Sequence, residues 1–109
     1  SWCIPCKEEA PLLESVWKQY RDRGLVVLGV DINDVRSEAR RFARENGMSY
    51  PLAYDGPGET TTDYGLTGVP ETFFVARNGK LVCERIQAGV HLDDNKERFE
   101  ECIQEVLGA

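Results

Sequence analysis

The sequence predicts a single α/β domain in which helices and strands alternate along the chain. Three observations support this. Apolar residues recur at helical spacing near both ends of the chain, two apolar stretches have the composition of buried strands, and an Asn-Gly pair joins the second stretch to a further strand. A chain of 109 residues forms one domain at most, and its 41% hydrophobic content provides a modest core. The predicted order is helix, strand, helix, short strand, strand, strand, helix.

The first half of the chain is predicted to contain two helices around a buried strand. Residues 3–23 place apolar side chains on one helical face. The continuous apolar run at residues 25–30 is typical of a strand that is buried on both faces, as in a parallel sheet. Asn33-Asp34 is expected to begin the second helix, and Asn46-Gly47 is expected to end it.

The second half is predicted to contain a hairpin and a last helix. Residues 50–54 form a short strand, and residues 60–66 hold one helical turn. The β-branched and aromatic run at residues 72–76 predicts a strand, which the Asn-Gly turn joins to an antiparallel strand at residues 81–87. A variant of the capping box that starts at Asp94 is expected to begin the last helix.

Charge and composition exclude several classes of function. The net charge of −6 argues against nucleic acid or an anionic membrane surface as the main partner, because both select basic patches. No apolar run approaches the roughly 18 residues that a membrane helix needs, so these residues are expected to make no direct membrane contact. The chain has one histidine and no second closely spaced cysteine pair, so we expect no metal site.

The four residues Cys3-Ile4-Pro5-Cys6 carry the predicted chemistry. They lie at the start of the first helix, where residues i and i+3 share a face and two sulfurs can bond. The unpaired N–H groups and the positive end of the helix dipole stabilise a thiolate there. Cys3 is nearer the tip and is expected to be the exposed nucleophile. Cys6 is expected to resolve the mixed disulfide, and Pro5 to restrict the loop.

The other two cysteines are expected to be structural. Cys102 falls on the apolar face of the last helix, beside Phe99 and Ile103, and free cysteine is among the most buried residue types. We therefore expect Cys83 and Cys102 to be buried free thiols. The sequence leaves open a disulfide between them.

Three segments resemble a known family. Ser-Trp-Cys-Ile-Pro-Cys-Lys at residues 1–7 resembles the active-site motif of the thioredoxin fold, and is most similar to the extracytoplasmic thiol-disulfide oxidoreductases of the TlpA/ResA/CcmG type. Tyr-Gly-Leu-Thr-Gly-Val-Pro-Glu-Thr-Phe at residues 64–73 is similar to the Gly-x-Pro-x-Thr-Phe segment of that group, and Asn-Gly-Lys follows at residues 78–80. The resemblance covers nearly the whole chain. It implies a thioredoxin-like three-layer α/β/α fold with a mixed sheet.

The resemblance also implies a substrate-binding surface. In this family the proline of the second motif is cis and packs against the dithiol, and the backbone before it pairs with an extended substrate peptide. The tryptophan before the first cysteine shields the site, and a small residue ends the last strand near the substrate groove. The expected substrate-binding residues are therefore Trp2, Ile4, Pro5, Val69, Pro70 and Gly89.

Two acidic residues are expected to adjust the pKa of the thiols. Members of the family carry acidic groups near the dithiol, and Asp34 and Glu71 occupy suitable positions in this sequence. Other interpretations remain open, because an Asp at a helix start is an ordinary N-cap and Glu71 is also readable as a solvated charge at a strand end. Glu8 and Glu9, with Asp34 and Glu71, are acidic neighbours or possible neighbours of the dithiol. Acidic neighbours raise thiol pKa values, which favours a reductant over an oxidant.

The implied function is reduction of protein disulfides through the Cys3/Cys6 dithiol, without a cofactor. By resemblance, the substrate is a disulfide-containing protein such as apocytochrome c, and a membrane or soluble dithiol donor of the CcdA/DsbD kind re-reduces the protein. The implied location is extracytoplasmic, with an anchor in an upstream segment. A general thioredoxin and a thiol peroxidase-type redoxin remain alternatives. The Pro-x-x-x-Thr-x-x segment that precedes a peroxidatic cysteine is absent, which argues against a thiol peroxidase. The Cys-x-x-x-Cys motif of Sco-type copper carriers is one residue longer than the motif at Cys3 and Cys6, which argues against a copper carrier.

One further expectation concerns the middle of the sheet. In the thioredoxin fold a long apolar strand directly precedes the active-site tryptophan and lies between the strands predicted at residues 25–31 and 72–76. We therefore expect residues 1–109 to form a thioredoxin-like domain that lacks its N-terminal part, including this central strand. A gap between the two flanking strands, or a strand supplied from elsewhere, is expected in the structure.

Overall fold

A computed structural model describes residues 3–32 and 34–109. The helices are α1 (Ile4–Tyr20), α2 (Arg36–Glu45), α3 (Glu59–Tyr64) and α4 (Asp93–Gly108), with a 3-10 turn at Arg21–Arg23. The strands are β1 (Gly29–Ile32), β2 (Leu52–Asp55), β3 (Glu71–Val75) and β4 (Leu81–Gln87). The observed order, α1-β1-α2-β2-α3-β3-β4-α4, matches the predicted alternation. Asn33, predicted at the start of the second helix, lies outside the described residues.

Local chemistry sets the ends of the two longest helices. α1 begins after Cys3, whose extended backbone and sulfur cap the first turn, and Pro5 lies in that turn, where a missing N–H costs nothing. After α1 and the 3-10 turn, the chain reverses at Gly24, which has a φ of +94°. α4 begins at Asp93, one residue before the predicted capping box, and its N-cap Leu92 makes no side-chain capping bond.

The strands form two separate pairs. β1 and β2 are parallel, with Gly29 opposite Leu52. β3 and β4 are antiparallel and joined by the predicted Asn-Gly turn, and their register shifts between Thr72 and Phe74. Within the described ranges, no strand pairing joins the two sheets.

The prediction for the first strand was partly wrong. β1 starts at Gly29 rather than at residue 25, and the side chains of Val26, Leu28 and Val30 are 74%, 58% and 45% exposed. The apolar run is therefore not buried on both faces. The physical reason is that, among the described residues, β1 pairs with β2 alone, and the apolar run lines the groove between the two sheets.

A groove of about 1300 Å³ lies between the two sheets. Both β1 and β3 line it, together with Cys6 and Glu9 of α1 and apolar residues of α4. The expectation that a central strand belongs between β1 and β3 stays a prediction. In the part of the chain that the structure describes, no helix is long and apolar enough to cross a membrane.

The main core lies where α1 and α4 pack with the β3–β4 hairpin. Its buried members are Val16, Tyr20, Leu25, Phe74, Ile86, Val90, Phe99, Cys102 and Ile103. A disulfide between Cys83 of β4 and Cys102 of α4, with Cα atoms 5.9 Å apart, closes this core. The expectation of two free thiols was therefore wrong. Burial of Cys102 was predicted correctly, but its approach to Cys83 depends on how α4 packs across the hairpin, which sequence spacing does not show.

We expect an added strand to stabilise this domain. About five backbone hydrogen bonds, each contributing roughly 0.5–1.5 kcal/mol, would form if an apolar segment attached before Ser1 paired with β1 and β3. The urea midpoint of such an extended chain is expected to exceed that of the 109 residues. A control extension of equal length with prolines at alternate positions should give no increase. Equal midpoints for both extensions would contradict the prediction.

Candidate active site

The Cys3–Cys6 pair forms a disulfide at the N-terminus of α1. Its sulfurs are 2.06 Å apart and its Cα atoms 5.2 Å apart. Cys3 is the N-cap residue, and its Sγ accepts a hydrogen bond from the backbone N–H of Cys6 at 3.2 Å. In the reduced protein the same N–H and the positive end of the helix dipole stabilise a thiolate on Cys3. The geometry therefore favours Cys3 as the sulfur that carries negative charge.

The relative exposure of the two cysteines differs from the expectation. Cys3 is only 8% exposed, whereas Cys6 is half-buried and lines the groove. The prediction that Cys3 is the more accessible residue was wrong for this disulfide form. The groove opens on the Cys6 side of α1, and its extent depends on the spacing of the two sheets. The hydrogen bond at the helix start, and not accessibility, distinguishes Cys3.

The proline segment lines the same groove as Cys6. The Val69–Pro70 peptide bond is cis. Pro70 is buried, Val69 is half-buried, and both line the same groove as Cys6. Ile4 and Pro5 are exposed in the first turn of α1. Of the expected site residues, Cys6, Val69, Pro70 and Glu71 line this groove, while Trp2 lies outside the described residues.

Gly89, the remaining expected substrate-binding residue, has a different environment. It is buried, and a Cβ atom built on it would lie 2.3 Å from the ring of His91. The absence of a side chain at Gly89 is therefore explained by the neighbouring ring. Its contact with substrate stays a prediction.

Glu71 is buried in a cluster that holds the loop before Pro70. Its side chain is 2% exposed. Its carboxylate accepts the N–H of Thr67 at 2.8 Å and the N–H of Gly68 at 3.1 Å, and pairs with Arg85 at 3.2 Å. Burial alone would raise the pKa of Glu71, but these bonds outweigh it and hold the pKa below its usual value. Glu71 is thus a buried anion and not a solvated strand-end charge.

Asp34 and Asp31 form a second acidic group, at the end of β1. Asp34 precedes α2, and its Oδ1 accepts the N–H of Val35 at 2.9 Å. The N-cap of α2 is Val35, which makes no side-chain capping bond, so Asp34 is not the ordinary N-cap that the sequence allowed. Burial, with a hydrogen bond between the two side chains, raises the pKa of Asp31 to about 6. Asp31, which the sequence analysis did not single out, is the member of the pair that lines the groove.

Glu9, expected only as a possible acidic neighbour of the dithiol and not as a site residue, is a further functional candidate. It lies three residues after Cys6, lines the groove and is only 6% exposed. Its carboxylate accepts the backbone N–H of Val90 at 3.1 Å. Burial raises the pKa of Glu9 to about 7, although this hydrogen bond lowers it. A signal was present, because Glu9 lies seven residues before Val16 on the apolar face of α1.

A dithiol at a helix start and a cis proline on the same groove define a thioredoxin-like protein. The family model of the AhpC/TSA family matches residues 1–83, and the chain belongs to that family.

Named relatives support the same placement. The chain is 24% identical over 106 residues to the thiol-disulfide oxidoreductase ResA of Bacillus cereus, covering 97% of this chain and 58% of the relative. It is 28% identical over 81 residues to the ResA of Geobacillus thermodenitrificans, covering 74% of this chain and 47% of the relative. The chain thus spans about half the length of the curated relatives it matches.

Solved structures share the fold. A DsbE-type thiol:disulfide interchange protein from Chlorobium tepidum superposes with a TM-score of 0.89 at 27% identity, covering 97% of this chain and 73% of that one. StoA from Bacillus subtilis superposes with a TM-score of 0.75 at 22% identity, covering 94% of this chain and 75% of that one. The second likeness shows the fold alone.

The raised pKa of Glu9 predicts a pH-dependent stability. Between the unfolded value of 4.5 and about 7, folded Glu9 keeps a proton that the unfolded chain releases, so stability is full below this window and falls as the pH rises through it. The loss is on the order of 3 kcal/mol. Glu9→Gln should remove that part of the dependence, measured by urea unfolding from pH 4 to 8. Glu8→Gln, an exposed neighbour, should behave as wild type, and equal pH dependence in both variants would contradict the assignment.

Proposed function

We propose that this protein is a thiol-disulfide oxidoreductase that reduces protein disulfides through Cys3 and Cys6. The observation that carries the proposal is the Cys3–Cys6 disulfide at the start of α1, with the Cys6 N–H directed at the Cys3 sulfur. The names of the ResA relatives support the same reaction class. The disulfide is itself the redox centre, so the reaction requires no cofactor.

The reaction consists of two exchange steps. The Cys3 thiolate attacks one sulfur of the substrate disulfide, the substrate S–S bond breaks, and the released thiolate takes up a proton. Cys6 then loses its proton and attacks the Cys3 sulfur of the mixed disulfide, which releases the second substrate thiol. Two electrons and two protons pass to the substrate, and the Cys3–Cys6 disulfide remains. A membrane or soluble dithiol donor restores the dithiol.

Glu9 is suited to the proton transfer of the second step. A general base is most effective when its pKa lies near the working pH, and the pKa of Glu9 is about 7. Its carboxylate lies one helical turn after Cys6 and lines the same groove. Glu9 therefore accepts the proton that Cys6 must lose before it attacks.

The acidic surroundings favour the reducing direction. Glu9, Asp31 and Glu71 all line the groove with Cys6. Negative charge near a thiol disfavours its thiolate, and strongly oxidising dithiols have the opposite property, a stabilised thiolate. Within this proposal, Glu71 and Asp34 adjust the thiol pKa values, Asp34 acting through its hydrogen bond to Asp31.

The groove beside Pro70 suits an extended peptide. The backbone of Val69 precedes the cis proline, and an extended segment that pairs there would bring its disulfide to the dithiol. We therefore propose a disulfide-containing protein as substrate, with the cysteine pair of an apocytochrome c as the specific candidate, and an extracytoplasmic location with an upstream anchor. A general thioredoxin or a thiol peroxidase-type redoxin is the alternative. The match to the AhpC/TSA family is compatible with the thiol peroxidase-type redoxin.

Two serine variants test the proposal. Cys3→Ser should abolish insulin reduction, because it removes the nucleophile. Cys6→Ser should accumulate a mixed disulfide with substrate, because the resolving thiol is missing. Both variants should leave hydrogen peroxide consumption at the level of the buffer. Normal turnover by Cys6→Ser would reverse the assigned roles, and rapid peroxide consumption by the wild type would favour the peroxidase alternative.

Replacing Glu71 by Gln tests its electrostatic role. Removing this buried negative charge should lower the apparent pKa of Cys3, measured from thiolate absorbance against pH. The nearby Arg85 limits the decrease because it already neutralises part of the charge. Glu84→Gln, an exposed change on β4, is the matched control and should leave the thiol pKa unaltered. An unchanged or raised value for Glu71→Gln would restrict Glu71 to holding the loop.

A further inference from the structure

The loop at residues 88–92, between β4 and α4, is held from α4. The Nδ2 of Asn95 donates hydrogen bonds to the carbonyl oxygens of Gln87 and Gly89, both at 3.0 Å. The backbone N–H of Leu92 also donates to the carbonyl of Gly89, at 3.3 Å. Val90, in the middle of the loop, is completely buried. One side chain at the start of α4 thus fixes both carbonyls that flank the turn.

Gly89 and His91 pack against each other within this loop. A Cβ on Gly89 would lie 2.3 Å from Cε1 and 2.4 Å from Nδ1 of the imidazole, closer than real contacts allow. The φ of Gly89 is outside the left-handed region, so an L-residue could adopt its backbone conformation. The ring of His91, and not the backbone, is therefore what an added Cβ at Gly89 would displace. Within the described residues, the buried Nδ1 of the ring has no hydrogen-bond partner, so packing alone holds the ring.

This arrangement of the loop allows one hydrogen bond to a side chain of α1. The N–H of Val90, between Gly89 and His91, donates to the Glu9 carboxylate at 3.1 Å. Among residues 3–32 and 34–109, no other hydrogen bond to the Glu9 carboxylate occurs. Tyr50 lies within electrostatic reach of Glu9, and burial, followed by the negative charges of Glu9 and Glu14, raises the pKa of Tyr50, which keeps it neutral. Cys6 lines the same groove as Glu9.

We propose that Gly89, His91 and Asn95 are positioning residues that hold the Val90 N–H on the Glu9 carboxylate. This inference rests on the proposed role of Glu9 in proton transfer. The hydrogen bond stabilises the charged form of Glu9, so the loop determines the pH at which Glu9 becomes a base for Cys6. Nothing in this role requires Gly89 to touch substrate.

The test introduces a clash between residue 89 and the ring of His91, and then removes it, in variants of the full chain. Gly89→Ala should push the ring and the loop away and weaken the Val90–Glu9 bond. The carboxyl of Glu9, followed by carbon NMR and assigned with Glu9→Gln, should then titrate about half a pH unit higher or more. The pH profile of disulfide reduction should move in the same direction. Adding His91→Ala to Gly89→Ala removes the ring atoms that clash and should return both readouts towards wild type.

Two further variants complete the experiment. Gly108→Ala adds a methyl group where nothing lies within 4 Å, and should change neither readout. Asn95→Ala removes both carbonyl contacts without a clash, and should raise the titration of Glu9 in the same direction as Gly89→Ala. Wild-type titration of Glu9 in Gly89→Ala and Asn95→Ala, or no restoration in the double variant, would overturn the proposal. The Glu9 titration could rise in Gly89→Ala and return in the double variant while the pH profile of disulfide reduction stays constant. This result would uphold the positioning role and refute proton transfer by Glu9.

Discussion

The hydrogen bond from the Cys6 N–H to the Cys3 sulfur is the contact on which the site depends. It caps α1 and at the same time directs the positive end of the helix at the sulfur that must carry charge. An unsatisfied N–H at a helix start is a structural cost that a polar cap ordinarily removes. Here a cysteine is the N-cap, so the hydrogen bond that caps the start of α1 also stabilises the thiolate of the nucleophile.

Packing in the core fixes the position of α1, and with it the position of this helix start. Tyr20 and Val16 anchor α1 in the core with α4 and the hairpin, and the Cys83–Cys102 disulfide ties α4 to β4. The hairpin in turn carries Arg85, which binds Glu71 and the carbonyl of Gly65 in the loop before the cis proline. Packing far from the dithiol therefore determines where Pro70 lies relative to Cys6.

Features that depend on neighbouring residues could be predicted from the sequence, and features that depend on distant packing could not. The glycine stop after α1, the hairpin turn and the bounds of β4 follow from local residue types, whereas the cap by the Cys3 sulfur was not predicted. The exposure of β1, the partner of Cys83 and the burial of Glu9 depend on how sheets and helices meet. Glu9 is the instructive case, since its position near the dithiol is readable from the sequence, whereas its burial depends on how α1 meets the loop at Val90.

Two carboxylates on one groove illustrate how the fold assigns different tasks to the same functional group. Glu71 is almost wholly buried and has several donors around it, so its pKa falls and it remains an anion that holds a loop. Glu9 is buried and its carboxylate receives one backbone N–H, so desolvation outweighs that bond and its pKa rises towards neutrality. The balance between desolvation, which dominates at Glu9, and the donors around Glu71, including the Arg85 guanidinium, separates the two pKa values. A pair of groups whose environments drive their pKa values apart is the usual arrangement of acid–base catalysis, and here the mobile proton belongs to the carboxyl with fewer donors.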